Sequence, residues 1–175
     1  MNAYEPTIES IIRNLFNFSF YLEFLSSFET AVENYPNHIA IYSDGQTITY
    51  HQLNEYALQL ASVLRDYGIT ENAIVALSLE NNIAQIALII AIQKLGTAYM
   101  PVEVSFPEER IKYMLELAQP SLFITDAASI LASNFTNILS WKHCNEACKA
   151  KPTKEPIPNI QGQFSYILFT SGSTG

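Results

Sequence analysis

From Ile74 to Thr125 the chain alternates between short strand-like runs and longer helical ones, and that alternation leaves few folds open. Ile74-Val75-Ala76-Leu77-Ser78-Leu79 is a short run of β-branched and aliphatic residues, the pattern of a strand covered on both faces. It leads to an apolar stretch, Ile83–Leu95, which predicts a buried helix stopped by Gly96. Thr97-Ala98-Tyr99-Met100 predicts a second strand. Pro107–Ala118 predicts a second helix, with Pro107 at or near its first position, where a missing N–H is no loss. Ser121-Leu122-Phe123-Ile124-Thr125 predicts a third strand, ending at Asp126 before a small helix near Ala127–Leu131. Strands separated by helices imply an α/β fold, a mainly parallel sheet with helices on both faces. Ligands on such sheets bind beyond the carboxyl ends of the strands.

The flanks extend this frame. Residues 7 to 35 predict helix in two pieces, with a break near Asn17-Phe18-Ser19 and an end at Pro36. The aromatic stripe Phe16, Phe18, Phe20, Tyr21, Phe24 and Phe28 fits a helix packed on the core, with a partner or membrane face as the alternative. His38–Tyr42 and Thr47–Tyr50, joined by Ser43-Asp44-Gly45-Gln46, read as a hairpin. A helix from about His51 to Tyr67 follows, turning Leu53, Ala57, Leu60, Ala61 and Leu64 inward, with Gly68 just past its end. Residues 149–163 are Pro-rich and polar and read as an exposed connector. No internal repeat is visible.

The chemistry concentrates in the run that follows Phe164-Ser165-Tyr166-Ile167-Leu168-Phe169. A strand that empties into Thr170-Ser171-Gly172-Ser173-Thr174-Gly175 suits a phosphate. Gly172 and Gly175 can take positive φ and let the backbone approach a ligand. Successive N–H groups in such a loop can point into one anion-binding concavity. The hydroxyls of Thr170, Ser171, Ser173 and Thr174 add rotatable donors. A flexible Gly/Ser linker is the bland alternative. The run is not a Walker A loop, because no Lys occurs after Lys154.

Composition narrows the partners. The 175 residues fit one domain, and 49% hydrophobic with 15% charged residues is a globular balance. The net charge of −8, with no Lys/Arg stripe, argues against nucleic acid. The apolar run Ile83–Leu95 is interrupted by Gln85 and Gln93 and is too short to span a bilayer, so no membrane partner is expected. The N-terminus has no basic region and does not read as a signal peptide. Two cysteines are too few for a disulfide framework, and His143, Cys144 and Cys148 are too few for a structural zinc site. They read as reduced thiols of a cytoplasmic protein, with no metal site expected.

Three separated segments resemble the adenylate-forming (AMP-binding) ligases, specifically the amino-acid-activating branch that includes nonribosomal peptide synthetase adenylation domains and D-alanine–carrier protein ligases. Ile48-Thr49-Tyr50-His51-Gln52-Leu53-Asn54 resembles L-T-Y-x-E-L-N. Gln93-Lys94-Leu95-Gly96-Thr97-Ala98-Tyr99-Met100-Pro101-Val102-Glu103 resembles L-K-A-G-x-A-Y-V-P-I-D. Tyr166 to Gly175 resembles the phosphate-loop motif up to its T-S-G-S-T-G. Order and spacing match from about Phe28 to Gly175, and Phe106-Pro107-Glu108-Glu109-Arg110-Ile111 resembles a stretch typical of amino-acid activators. Departures are Gln52 for Glu, Leu95 for Ala, Glu103 for Asp and Val104 for Pro; they leave substrate identity open.

The resemblance implies a helical segment over 1–27 and, over 28–175, the front part of the AMP-binding large domain. It implies two half-reactions. An amino acid carboxylate attacks the α-phosphorus of ATP, releasing pyrophosphate; a phosphopantetheine thiol on a carrier protein then takes the acyl group. In that scheme Thr170–Gly175 cradle the β- and γ-phosphates and Mg²⁺ screens the charge. The family's catalytic Lys, its acid for Mg²⁺ and its substrate pocket come later in the pattern, so the resemblance assigns no catalytic residue here and implies that this chain alone is inactive. Tyr50, Leu53, Gly96, Tyr99 and Pro101 are expected to serve structure. Two alternatives stay open: an acyl-CoA or aryl-acid ligase of the same superfamily, and a non-catalytic interaction domain.

Overall fold

The computed structural model describes residues 18–80, 82–127, 137–151 and 165–169. The first element is helix α1 (Phe18–Asn34), followed by strands β1 (Ile39–Ser43) and β2 (Gln46–Thr49) and helix α2 (Tyr50–Asp66). Then come β3 (Ile74–Ser78), α3 (Asn82–Lys94), β4 (Ala98–Pro101), α4 (Glu108–Ala118), β5 (Leu122–Thr125), β6 (Ile138–Ser140) and α5 (Trp141–Lys149). α1 runs unbroken from Phe18, and the earlier helical piece expected from the sequence lies outside the described residues, as does most of the small helix near Ala127–Leu131. Among the described residues no helix is long and apolar enough to cross a membrane.

β1 and β2 form the expected antiparallel hairpin. Its two central residues, Asp44 (φ 52°) and Gly45 (φ 77°), both take positive φ, the two-residue turn whose twist matches paired strands. The main sheet is parallel, in the order β4-β3-β5-β6. β6 was not legible in advance: three residues are too few to show a period. Ser140 ends it and starts α5 at once, its Oγ accepting from His143 N–H at 3.3 Å.

The period of two along each strand divides the core into two layers. Val75, Leu77, Leu122, Ile124 and Leu139 face α1, α2, α3 and α5. Ala76, Met100 and Phe123 face α4, meeting Ile111, Leu115 and Ala118. Strand order requires this split. The β3–β4 crossover moves one way along the sheet and the β4–β5 crossover moves back, so right-handed connections place α3 and α4 on opposite faces. α3 is apolar on nearly every side because it is enclosed by the sheet, α2 and α1. Lys94 is buried at its end, with Nζ 2.9 Å from Glu29 and near the Phe28 ring, and so ties α1 to α3. Of the aromatic stripe, Phe28 enters the core and Phe24 remains 40% exposed.

The helix ends follow from local chemistry. α2 stops in a Schellman arrangement: Gly68 (φ 77°) donates to Arg65 O and Ile69 to Leu64 O, with Ile69 and Leu64 buried together. α3 stops the same way, Gly96 donating to Gln93 O and Thr97 to Ile92 O. α4 begins at Glu108, one residue later than expected. Pro107 has helical φ but extended ψ (139°), which makes it the N-cap, and its carbonyl accepts from Arg110 and Ile111.

Candidate functional site

β3 connects leftward to β4 while β5 neighbours β6 on the right, so the strand order reverses between β3 and β5. The carboxyl ends at such a reversal leave a crevice. Glu80 and Asp126 leave the sheet there, and Glu80 N–H donates to Asp126 Oδ2 at 3.3 Å. A cavity of about 360 Å³ opens at this end, lined by Ser78, Glu80, Glu103 and Asp126 together with Leu168 and Phe169. Among the described residues no Lys or Arg lines it, so its carboxylates would repel an unscreened phosphate. Two of these carboxylates already serve the backbone, since Glu103 Oε1 accepts from Ser105 N–H at 3.3 Å. Among the described residues no three His, Cys, Asp or Glu are grouped to hold a metal ion.

The segment before the Ser/Thr/Gly run lies beside β4. Tyr99 N–H donates to Ser165 O at 3.2 Å and Ile167 N–H donates to Tyr99 O at 2.9 Å, a parallel bridge between Tyr99 and Tyr166. Ile167 is buried on the α4 side, and the Tyr99 and Tyr166 rings lie 5.7 Å apart. Of the expected last strand, the described residues Ser165–Phe169 make a single parallel bridge at the β4 edge of the sheet. Being parallel, it delivers the chain to the same end as β3, β4 and β5, where Leu168 and Phe169 join the cavity lining. The six candidate phosphate-binding residues, Thr170 to Gly175, follow directly in sequence and lie outside the described residues.

Other motif residues take structural positions. Thr49 and Gln52 form a capping box at the start of α2: Thr49 Oγ1 accepts from Gln52 N–H at 3.3 Å and Gln52 Oε1 accepts from Thr49 N–H at 3.0 Å. A Gln supplies this acceptor as a Glu would, so the departure at 52 changes no contact. Tyr50 packs near Phe28, with ring centroids 6.3 Å apart, and Leu53 is buried. Cys144 and Cys148 face the α2 side of the core, whereas His143 is exposed. Burial, and then the neighbouring Cys148, push the Cys144 thiol up to about 12; burial pushes Cys148 up to about 11. Thiols held protonated in this way are poor nucleophiles and ligands at neutral pH.

Gln93 reads in the sequence only as an interruption of the apolar second half of α3, beside Lys94. It is buried and reaches Ser165, bonding both the hydroxyl and the carbonyl.

Residues 28–175 match the family model described as AMP-binding enzyme. Gramicidin S synthase 2 of Brevibacillus brevis is 38% identical over 150 residues, covering 85% of this chain and 3% of the synthase. Bacitracin synthase 2 of Bacillus licheniformis is 34% identical over 158 residues, covering 85% of this chain and 6% of that protein. Among solved structures, an artificially fused Adenylation-PCP di-domain NRPS, NpsA-ThdA from Klebsiella oxytoca, superposes with a TM-score of 0.73 at 25% identity, covering 85% of this chain and 28% of that one. The N-terminal subdomain of Klebsiella oxytoca NpsA in complex with 3-hydroxybenzoyl-AMSN gives 0.73 at 26% identity, covering 86% and 38%. The chain thus spans a few per cent of these synthases and well under half of these solved chains.

Proposed function

The chain belongs to the AMP-binding enzyme family, and from that premise we propose that it is a segment of an ATP-dependent ligase that activates an amino acid as its adenylate. The observation that carries this reading is the parallel bridge of Tyr166 to β4, which brings the chain, as far as Phe169, to the carboxyl edge of the sheet; Thr170–Gly175 follow next in sequence. Backbone N–H groups of that run and the hydroxyls of Thr170, Ser171, Ser173 and Thr174 hold the β- and γ-phosphates, and Gly172 and Gly175 permit the approach. The amino acid carboxylate attacks the α-phosphorus, a new P–O bond forms, and pyrophosphate leaves. Positioning and charge neutralisation supply most of the acceleration in such transfers. Charge on the ATP phosphates would be screened by Mg²⁺ held mainly by those phosphates; among the described residues no three His, Cys, Asp or Glu are grouped to hold a metal ion by themselves. A phosphopantetheine thiol on a carrier protein is the acyl acceptor, a partner supported by the adenylation–PCP fusion among the solved relatives. Residues 28–175, the span matched by the family model, are the front part of the large domain.

An aryl acid substrate is the second reading, because NpsA was solved with 3-hydroxybenzoyl-AMSN. The higher identity to gramicidin S and bacitracin synthases favours an amino acid.

Amino-acid-dependent ATP–pyrophosphate exchange in the enzyme that carries this segment tests the proposal, with aryl acids as competitors. Ser171→Ala and Thr174→Ala should each cost roughly 1.5–3 kcal/mol in ATP use, as for a hydrogen bond to a charged group. Gly172→Val should cost more if that position needs positive φ. The 175-residue chain by itself should show no exchange. Unchanged ATP KM and kcat in all three variants would make the run a spacer and defeat the reading.

A further inference from the structure

We infer that Gln93, acting through Ser165, is the positioning residue that sets the register of the strand feeding the phosphate loop. The inference rests on the functional reading above for its consequence, and on geometry for its mechanism. Gln93 is 1% exposed. Its Nε2 donates to Ser165 O at 2.7 Å and to Thr97 O at 3.3 Å, while its Oε1 accepts from Ser165 Oγ at 2.9 Å. One amide therefore grips the hydroxyl and the carbonyl of one residue, across 72 positions of sequence.

The grip is placed where the described pairing is short. Among the described residues the segment Ser165–Phe169 makes one parallel bridge beside β4, with backbone bonds from Tyr99 to Ser165 and from Ile167 to Tyr99. The Gln93 amide adds two further bonds at the same residue. A slip by one position would exchange buried Ile167 for Tyr166 or Leu168, turning the apolar face outward. It would also shift the start of the Ser/Thr/Gly run by about 3.3 Å along the strand. Phosphate donors must sit within a few tenths of an ångström of their acceptors to bond well. Register at Ser165 thus becomes donor placement at Thr170 and beyond. The cost of losing the grip is sharpened by burial: an apolar residue at 93 would leave the Ser165 hydroxyl facing a dry interior.

Steady-state ATP–pyrophosphate exchange, together with amide hydrogen exchange, tests this in the enzyme that carries the segment. Ser165→Ala should raise the ATP KM about tenfold, the loss of roughly one hydrogen bond, and Gln93→Leu at least as much. The amino acid KM should move less than about twofold, since register acts on the phosphate loop. The double variant should be no worse than Gln93→Leu alone, because Ser165→Ala removes only the hydroxyl bond that Gln93→Leu already removes. The Ile167 amide should lose protection in both singles. Gln59→Leu, which removes a side-chain bond from α2 to Lys151 O, serves as a destabilised control and should leave both KM values unchanged. Should Gln93→Leu fail to fold, Ser165→Ala and Gln93→Glu still decide, the latter keeping the acceptor but removing the donor. Equal rises in both KM values, additive losses in the double variant, or an unchanged ATP KM in folded Ser165→Ala would overturn the inference. An unmodified enzyme with no exchange activity would instead defeat the functional reading, and the register role would then stand or fall on Ile167 protection alone.

Discussion

The two buried thiols make the fold sensitive to alkali. Cys144 and Cys148 lie on the face of α5 that packs on α2, beside Tyr56 and Gln59. Their ordinary value is 9.0, and burial raises them to about 12 and about 11. Folded-state values above the unfolded ones mean that, above pH 9, the unfolded chain releases protons that the folded chain retains. Stability is then fully present below pH 9 and falls as pH rises toward 11 and 12. At pH 10 an unfolded thiol is about nine-tenths ionised, which favours unfolding by about 1 kcal/mol per thiol and about 2 kcal/mol for the two interacting sites. Tyr56, raised first by burial and then by the charges of Cys148 and Cys144, acts in the same direction. The assay is urea unfolding under reducing conditions at pH 7.5 and pH 10, for the unmodified chain and for Cys144→Ala with Cys148→Ala. The double variant should be weaker at pH 7.5 because of its cavities, yet lose about 2 kcal/mol less on going to pH 10. An equal loss in both chains would show that these thiols ionise freely in the folded state and would refute the argument.

Two smaller perturbations test the helix ends. Gln119 closes α4 in the left-handed region (φ 46°, ψ 56°), so Gln119→Gly should stabilise the chain by about 1 kcal/mol in thermal or urea melts; a loss of stability would contradict the strain. Gln52→Glu should leave stability within about 0.5 kcal/mol, while Gln52→Leu removes the acceptor for Thr49 N–H and should cost about 0.5–1 kcal/mol; equal effects of both would show that the capping box contributes nothing.

The sequence by itself determined the layered α/β frame, because a strand buried on two faces and a helix buried on one leave different apolar periods. Val75–Leu77 and Leu122–Ile124 are continuous runs that alternate between the two core layers, and α2 carries Leu53, Ala57, Leu60, Ala61 and Leu64 inward as spaced. Helix ends at Gly68 and Gly96 were legible because the left-handed cap favours glycine. Motif order pointed to the family, since Thr49–Leu53, Gly96–Pro101 and Tyr166–Gly175 keep their spacing. Strand order was not legible: the local period of a strand carries no label for its neighbour. Only the tertiary structure placed β3 between β4 and β5 and so opened the crevice at Glu80 and Asp126. β6 escaped notice because Ile138–Ser140 is too short for a period. Gln93 escaped for the deepest reason. A glutamine in an apolar helix is an anomaly until its partner is known, and Ser165 becomes that partner only once the chain has folded back to lie along β4.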